Sequence, residues 1–89
     1  MQVKERVVAT LDSFIEDWGL DIELSADTRI VDDLGFDSID VIQFTVALEK
    51  EFGSRKIGFQ DLLMQDGRYV DDLSVAQFQD FLEARLEAA

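Results

Sequence analysis

A small all-α four-helix bundle is the fold class this sequence predicts, with three main helices, a short third one and a long first loop. Three observations carry it. Apolar residues recur at steps of three and four in three separate segments, glycine directly follows two of those segments, and no segment alternates apolar with polar residues convincingly enough to make a strand.

The first helix is expected over residues 3–18, where Val3, Val7, Leu11, Phe14 or Ile15, and Trp18 fall on one face. Gly19 stands where a left-handed C-terminal residue belongs. Residues 20–36 show no sustained period and carry Ser25, Asp27, Thr28, Asp32, Asp33 and Gly35, so they read as a long connection of the kind that is often functional, pinned to the core by Leu24, Ile30 and Leu34. A second helix follows over residues 38–52 and stops at Gly53.

A short third helix is expected over residues 59–64, with Phe59, Leu62 and Leu63 turned inward. "QDGRYVDD" reads as a polar loop anchored by Tyr69 and Val70. Ser74 and Gln77 have the spacing of a capping box, and Val75, Phe78, Leu82 and Leu86 then mark the last helix. The whole chain, residues 1–89, is read as one domain, burying roughly 60–65% of its unfolded surface.

Composition narrows the function. With 47% hydrophobic residues, the chain is too apolar for the disordered class despite its charge. The absence of cysteine removes disulfides and thiolate metal sites, and the absence of histidine removes the commonest metal ligand and general base. Most small-enzyme chemistry is poorly supplied. A net charge of -12 repels nucleic acid and anionic membrane and favours partners with a basic patch. No apolar run approaches a membrane span and the N-terminal segment lacks the apolar core of a signal peptide, so a cytoplasmic protein is expected.

The second helix carries more apolar residues than one buried face needs. Placed on a wheel at about 100° per residue, Val41, Phe44, Leu48 and Phe52 cluster on one side, and Ile39, Ile42 and Val46 on roughly the opposite side. The first stripe is read as core. The second is covered either by the loop or third helix, or by visiting partners that accept an exposed apolar strip edged with polar groups. Ser38 stands at the N-terminal end of that strip. Helix starts commonly carry serine as a cap, but the unpaired N–H groups there also favour an attached phosphate, and Asp37 and Asp40 share the same field.

"LGFDSIDVIQFTVALEKEFG", from Leu34 to Gly53, resembles the signature of the acyl carrier protein family: Asp-Ser-Ile after Leu-Gly-x, then a helix ending in Ala-Leu-Glu-x-Glu-Phe. The likeness in organisation covers nearly the whole chain. It implies an acyl-carrier-type bundle in which Ser38 receives 4'-phosphopantetheine from coenzyme A through a phosphopantetheinyl transferase. The resulting thiol carries acyl groups as thioesters, and the protein itself is no enzyme. The resemblance maps Asp37, Ile39, Asp40, Ile42, Val46 and Glu49 onto a docking face for acyl-loading and acyl-processing enzymes with basic patches. It places cargo near Phe44, Leu48 and Phe52. A monomer with no metal site is expected.

Gln43 and Lys50 stand where many carriers of fatty-acid synthesis have acids, and the segment from Phe52 to Val75, with Arg55, Lys56 and Arg68, is longer and more basic than theirs. These departures favour a specialised lipid, polyketide-like or natural-product pathway over general fatty-acid synthesis. Aminoacyl and D-alanyl carriers are compatible with the same pattern. Two rivals lie outside the family: an acidic helical interaction module that is never modified, and a calcium site built from Asp32, Asp33, Asp37 and Asp40. The calcium reading lacks the spacing and terminal Glu of an EF-hand loop.

Overall fold

The computed structural model describes residues 3–19, 22–53 and 57–88, the last two for their backbone only. Leu20, Asp21 and residues 54–56, which include the basic pair Arg55 and Lys56, lie outside the described residues. The elements run α1 (Val3–Asp17), α2 (Ser38–Glu51), α3 (Gln60–Leu63), β1 (Met64–Gln65), β2 (Arg68–Tyr69) and α4 (Val75–Ala88). Helix α1 packs against both α2 and α4. The expected bundle of three main helices and a short third is therefore the observed architecture.

In α1 the buried residues are Val7, Leu11 and Ile15, spaced by four as one stripe of a helix requires. The helix closes with the Gly19 N–H donating to the Glu16 carbonyl over 3.0 Å. Gly19 has φ +74, a conformation that costs a residue with a Cβ and costs glycine little. Trp18, expected on the same face, is pushed to the rim but still meets Phe36 edge-on at 5.0 Å. In α4 the stripe Val75, Phe78 and Leu82 is fully buried and Leu86 half-buried. Its start is a capping box: the Gln77 N–H donates to Ser74 Oγ, and the Ser74 N–H to Gln77 Oε1 over 2.8 Å.

The centre of the core is aromatic. Phe44 of α2 has no exposed surface and meets Phe14 of α1 at 5.8 Å, Phe36 of the long loop at 6.1 Å and Phe78 of α4 at 5.1 Å, each edge to face. Such contacts are each worth about 0.5–1.5 kcal/mol beyond area burial. Phe78 continues the chain of rings to Phe59, and Phe59 to Phe81.

The long first loop satisfies its backbone groups against the segment leading into α4. The Ile30 N–H donates to the Leu73 carbonyl and the Val75 N–H to the Thr28 carbonyl, each over 2.9 Å, around an isolated bridge between Arg29 and Ser74. Asp72 adds a side-chain clamp, its carboxylate accepting from the N–H groups of Val31 and Asp32. The expected anchors Ile30 and Leu34 are buried and Leu24 is half-buried; Phe36 is a further buried anchor that the periodicity did not single out.

Residues 64–69 depart from the expected polar loop. They form a two-stranded antiparallel hairpin, with Met64 opposite Tyr69 and Gln65 opposite Arg68. Asp66 and Gly67, with φ +54 and +80, make the two-residue turn that matches strand twist, for which Asp-Gly is a favoured pair. Strands of two residues are too short to show alternation. Tyr69, expected as an anchor, is exposed, whereas Val70 is half-buried and donates its N–H to the Leu63 carbonyl over 2.8 Å.

Phe52 is also less buried than its place on the wheel suggests: it is half-buried at the end of α2, with the Arg6 guanidinium 5.5 Å from its ring centre. Its truncation therefore removes a rim contact, while Phe44 holds the middle. We expect Phe44→Ala to cost about 3–5 kcal/mol in urea unfolding and Phe52→Ala distinctly less. The opposite order would refute this placement of the core.

Candidate functional site

The start of α2 explains what Ser38 is and is not doing. The helix cap is Asp37, in extended conformation, whose carboxylate accepts from the Asp40 N–H at 2.9 Å, while Asp40 returns a carboxylate to the Asp37 N–H at 3.0 Å. Both halves of a capping box are present, supplied by two aspartates. Ser38 is thus the first helical residue rather than the cap, and it is exposed. Its hydroxyl is not needed to hold the helix.

The same hydrogen bonds bias ionisation. The Asp40 backbone N–H, above all, holds the Asp37 carboxyl below its ordinary value of 3.8, with smaller help from the Asp40 side chain and the Ile39 N–H. A carboxylate, not a carboxylic acid, therefore flanks Ser38 at neutral pH.

The two stripes of α2 separate as the wheel places them. On the inner side Phe44 and Leu48 are fully buried, Thr45 joins them, and Val41 and Phe52 are half-buried. On the outer side Ile39, Ile42 and Val46 are 64%, 51% and 44% exposed. No described loop or helix covers them. The acids beside the strip are fixed as well as charged: Asp37 and Asp40 close the capping box, and half-buried Glu49 accepts the Ile57 N–H over 3.0 Å.

A cleft of about 430 Å³ opens beside Ser38. Asp37, Ser38, Val41 and Ile42 of the α2 start form one wall, and Ile30, Val31 and Phe36 of the long loop form a second. Leu63, Tyr69 and Val70, at the foot and outgoing strand of the hairpin, face them together with Asp71, Asp72 and Leu73. The cleft is not where the expected cargo residues lie. Phe44 and Leu48 are filled core rather than cavity wall, and neither they nor Phe52 line the cleft. The space lies one to two turns nearer the N-terminus of α2. Periodicity could not find its far wall, because that wall belongs to a hairpin whose one local signal was the Asp-Gly pair.

Asp32, Asp33, Asp37 and Asp40 do not assemble into a cation cage: among the described residues no three acidic side chains converge in a way that could hold a metal ion. Asp33 instead accepts the Arg29 N–H at 2.8 Å. Nor is any described helix long and apolar enough to cross a membrane.

An exposed serine opening a capped helix, beside an apolar cleft, fits the tethering of a long prosthetic arm. Residues 8–66 match the family model described as phosphopantetheine attachment site, and the chain belongs to this family, that of the acyl carrier proteins. It is similar to the acyl carrier protein of Solidesulfovibrio magneticus, with 39% identity over 54 residues. That alignment covers 60% of this chain and 65% of the relative, just under two thirds of its length. No solved structure matches. The group characteristic of the family is 4'-phosphopantetheine. The residues present suit it: a free hydroxyl, at a helix N-terminus whose partial charge favours phosphate, with open solvent on one side and an apolar cleft on the other.

The cap gives a prediction with a definite sign. Because the folded Asp37 carboxyl lies below its unfolded value, its contribution to stability is complete above that value and is lost as pH falls through the folded one. Asp37→Ala should therefore lower the melting temperature at neutral pH. The gap from wild type should narrow as pH drops below 3.8. A gap constant from neutral to strongly acidic pH would mean that the charge of the cap plays no part.

Proposed function

We propose that the protein carries acyl groups as thioesters on a 4'-phosphopantetheine arm attached to Ser38. The observation that carries this reading is the division of labour at the start of α2: Asp37 caps the helix, leaving the adjacent Ser38 hydroxyl exposed within the family-matched region. In loading, Ser38 Oγ attacks the pantetheine-bearing phosphorus of coenzyme A. The Oγ–P bond forms, the P–O bond to adenosine bisphosphate breaks, and the hydroxyl proton passes to a base of the phosphopantetheinyl transferase. The bound arm supplies a terminal thiol, which holds the acyl group.

The chain's own residues present that arm and do no chemistry on it. Asp37 and Asp40 fix the first turn of α2, so that Ser38 keeps one position relative to the strip Ile39, Ile42 and Val46. Partners with a basic docking patch are steered by the net charge of -12, an attraction that salt screens. The small apolar strip adds modest affinity, which suits a carrier that must leave each enzyme quickly. Exposed Gln43 and Lys50 dilute the negative charge of α2. That dilution supports a specialised lipid, polyketide-like or natural-product pathway, and it makes docking to strongly basic general enzymes weaker.

Two experiments test the reading. Incubation of the apo protein with coenzyme A and a broad-specificity transferase should add one phosphopantetheine by intact mass, and Ser38→Ala should abolish the addition. A folded wild-type protein that stays unmodified would count decisively against it. Ile42→Ala should change unfolding free energy by less than about 1 kcal/mol, as expected of a half-exposed side chain, while slowing acyl transfer with a partner enzyme. A large stability loss with unchanged transfer would return Ile42 to the core.

A further inference from the structure

Residues 29–35 of the long loop form one helical turn, and its start is capped from a distant part of the sequence. The Asp33 N–H donates to the Arg29 carbonyl over 3.0 Å, so the N–H groups of Arg29, Ile30, Val31 and Asp32 precede the first bond of the turn and have no partner in its backbone. The Asp33 carboxylate takes that of Arg29, and the Leu73 carbonyl that of Ile30. Asp72 takes the remaining two. Val31 donates to Oδ1 over 2.9 Å and Asp32 to Oδ2 over 3.1 Å, from 41 and 40 residues away in the chain. The same carboxylate accepts the Leu73 N–H over 2.7 Å, which fixes its own orientation.

The other end of the turn leads straight to the acceptor serine. After Gly35, the Phe36 N–H donates back to the Ile30 carbonyl over 3.0 Å, and Asp37 and Ser38 follow. Among the described residues, Asp72 is the one side chain from outside the loop that is hydrogen-bonded to residues 31–36. The Phe36 ring meets Trp18 edge-on at 5.0 Å, so the chain's single tryptophan reports on how the turn is seated. The first turn of α2 is held separately, by the Asp37–Asp40 box, and does not involve Asp72.

We propose that Asp72 is a positioning residue for the loading of Ser38: by capping the turn from across the fold, it keeps the stretch before the serine in the one arrangement that a phosphopantetheinyl transferase meets. This rests on the reading of Ser38 as the attachment site. Two charge-assisted bonds hold a turn that would otherwise have to be ordered each time the enzyme docks, and such ordering opposes binding. Attack by Ser38 Oγ depends instead on the α2 start, which keeps its own cap when Asp72 is lost. Removing Asp72 therefore weakens capture of the carrier and spares the turnover of the bound complex.

The test is steady-state loading from coenzyme A by a broad-specificity transferase, at high salt so that long-range charge attraction is screened. Asp72→Ala should raise KM for the carrier several-fold and leave kcat within about twofold. Asp72→Asn, which keeps one acceptor oxygen, should fall between it and wild type. Acrylamide quenching of Trp18 and hydrogen exchange at the Val31 and Asp32 amides should rise in the same order. Asp32→Asn removes one charge from the same turn and leaves its N–H to Asp72, so it should match wild type in every readout. If Asp72→Ala does not melt cooperatively, Asp72→Asn alone decides. An unchanged KM, a kcat that falls as far as KM rises, unaltered exchange at Val31 and Asp32, or an Asp32→Asn that behaves like Asp72→Ala would each overturn the proposal. Failure of the wild-type protein to load would instead overturn the attachment reading, and the positioning role with it; faster exchange in the Asp72 variants would then leave the cap as a purely structural bond.

Discussion

What α2 presents to solvent depends on how Phe44 holds the helix from its other side. Its ring is enclosed by Phe14, Phe36 and Phe78, drawn from α1, the long loop and α4. With Leu48 it takes the middle of the helix's inner face out of water. Burying two such side chains contributes about 1.5–3 kcal/mol each. The opposite face is then free of any structural duty. Ile39, Ile42 and Val46 can stay exposed because the helix does not need them to remain folded.

The first turn of α2 follows the same economy of roles. A serine cap would have committed the Ser38 hydroxyl to a backbone N–H; the Asp37–Asp40 box takes that duty and leaves the hydroxyl to solvent. Acidic groups along α2 are likewise held by backbone bonds. Asp37, Asp40 and Glu49 each accept a backbone N–H, so the acidic edge of the exposed apolar strip is built into the fold rather than carried on loose side chains. In the proposed docking, an enzyme meets fixed charges and little side-chain entropy is lost.

Most of the fold was legible because helices advertise themselves over many residues. The stripes of α1 and α4 and the two faces of α2 follow from spacing alone, and the Ser74–Gln77 box from a four-residue pattern. What stayed hidden is short or non-local. The hairpin has too few residues to alternate, and its turn shows only as Asp66-Gly67. Phe36 is buried through tertiary contact with Trp18, Phe14 and Phe44, which no local period reveals. The cleft was the least legible, since its walls come from three segments distant in sequence; a wheel drawn on α2 alone identifies Phe44 and Leu48 as the filled side and says nothing of the space beyond.

The central claim is that the residue after the cap, and no other serine, bears the arm. It is tested most directly by tandem mass spectrometry of the protein isolated from its own host, with the modified residue located by fragmentation. The account predicts phosphopantetheine, free or acylated, on the peptide containing Asp37 and on Ser38 alone. Ser38 unmodified throughout, or the arm found on Ser13, Ser25, Ser54 or Ser74, would contradict it.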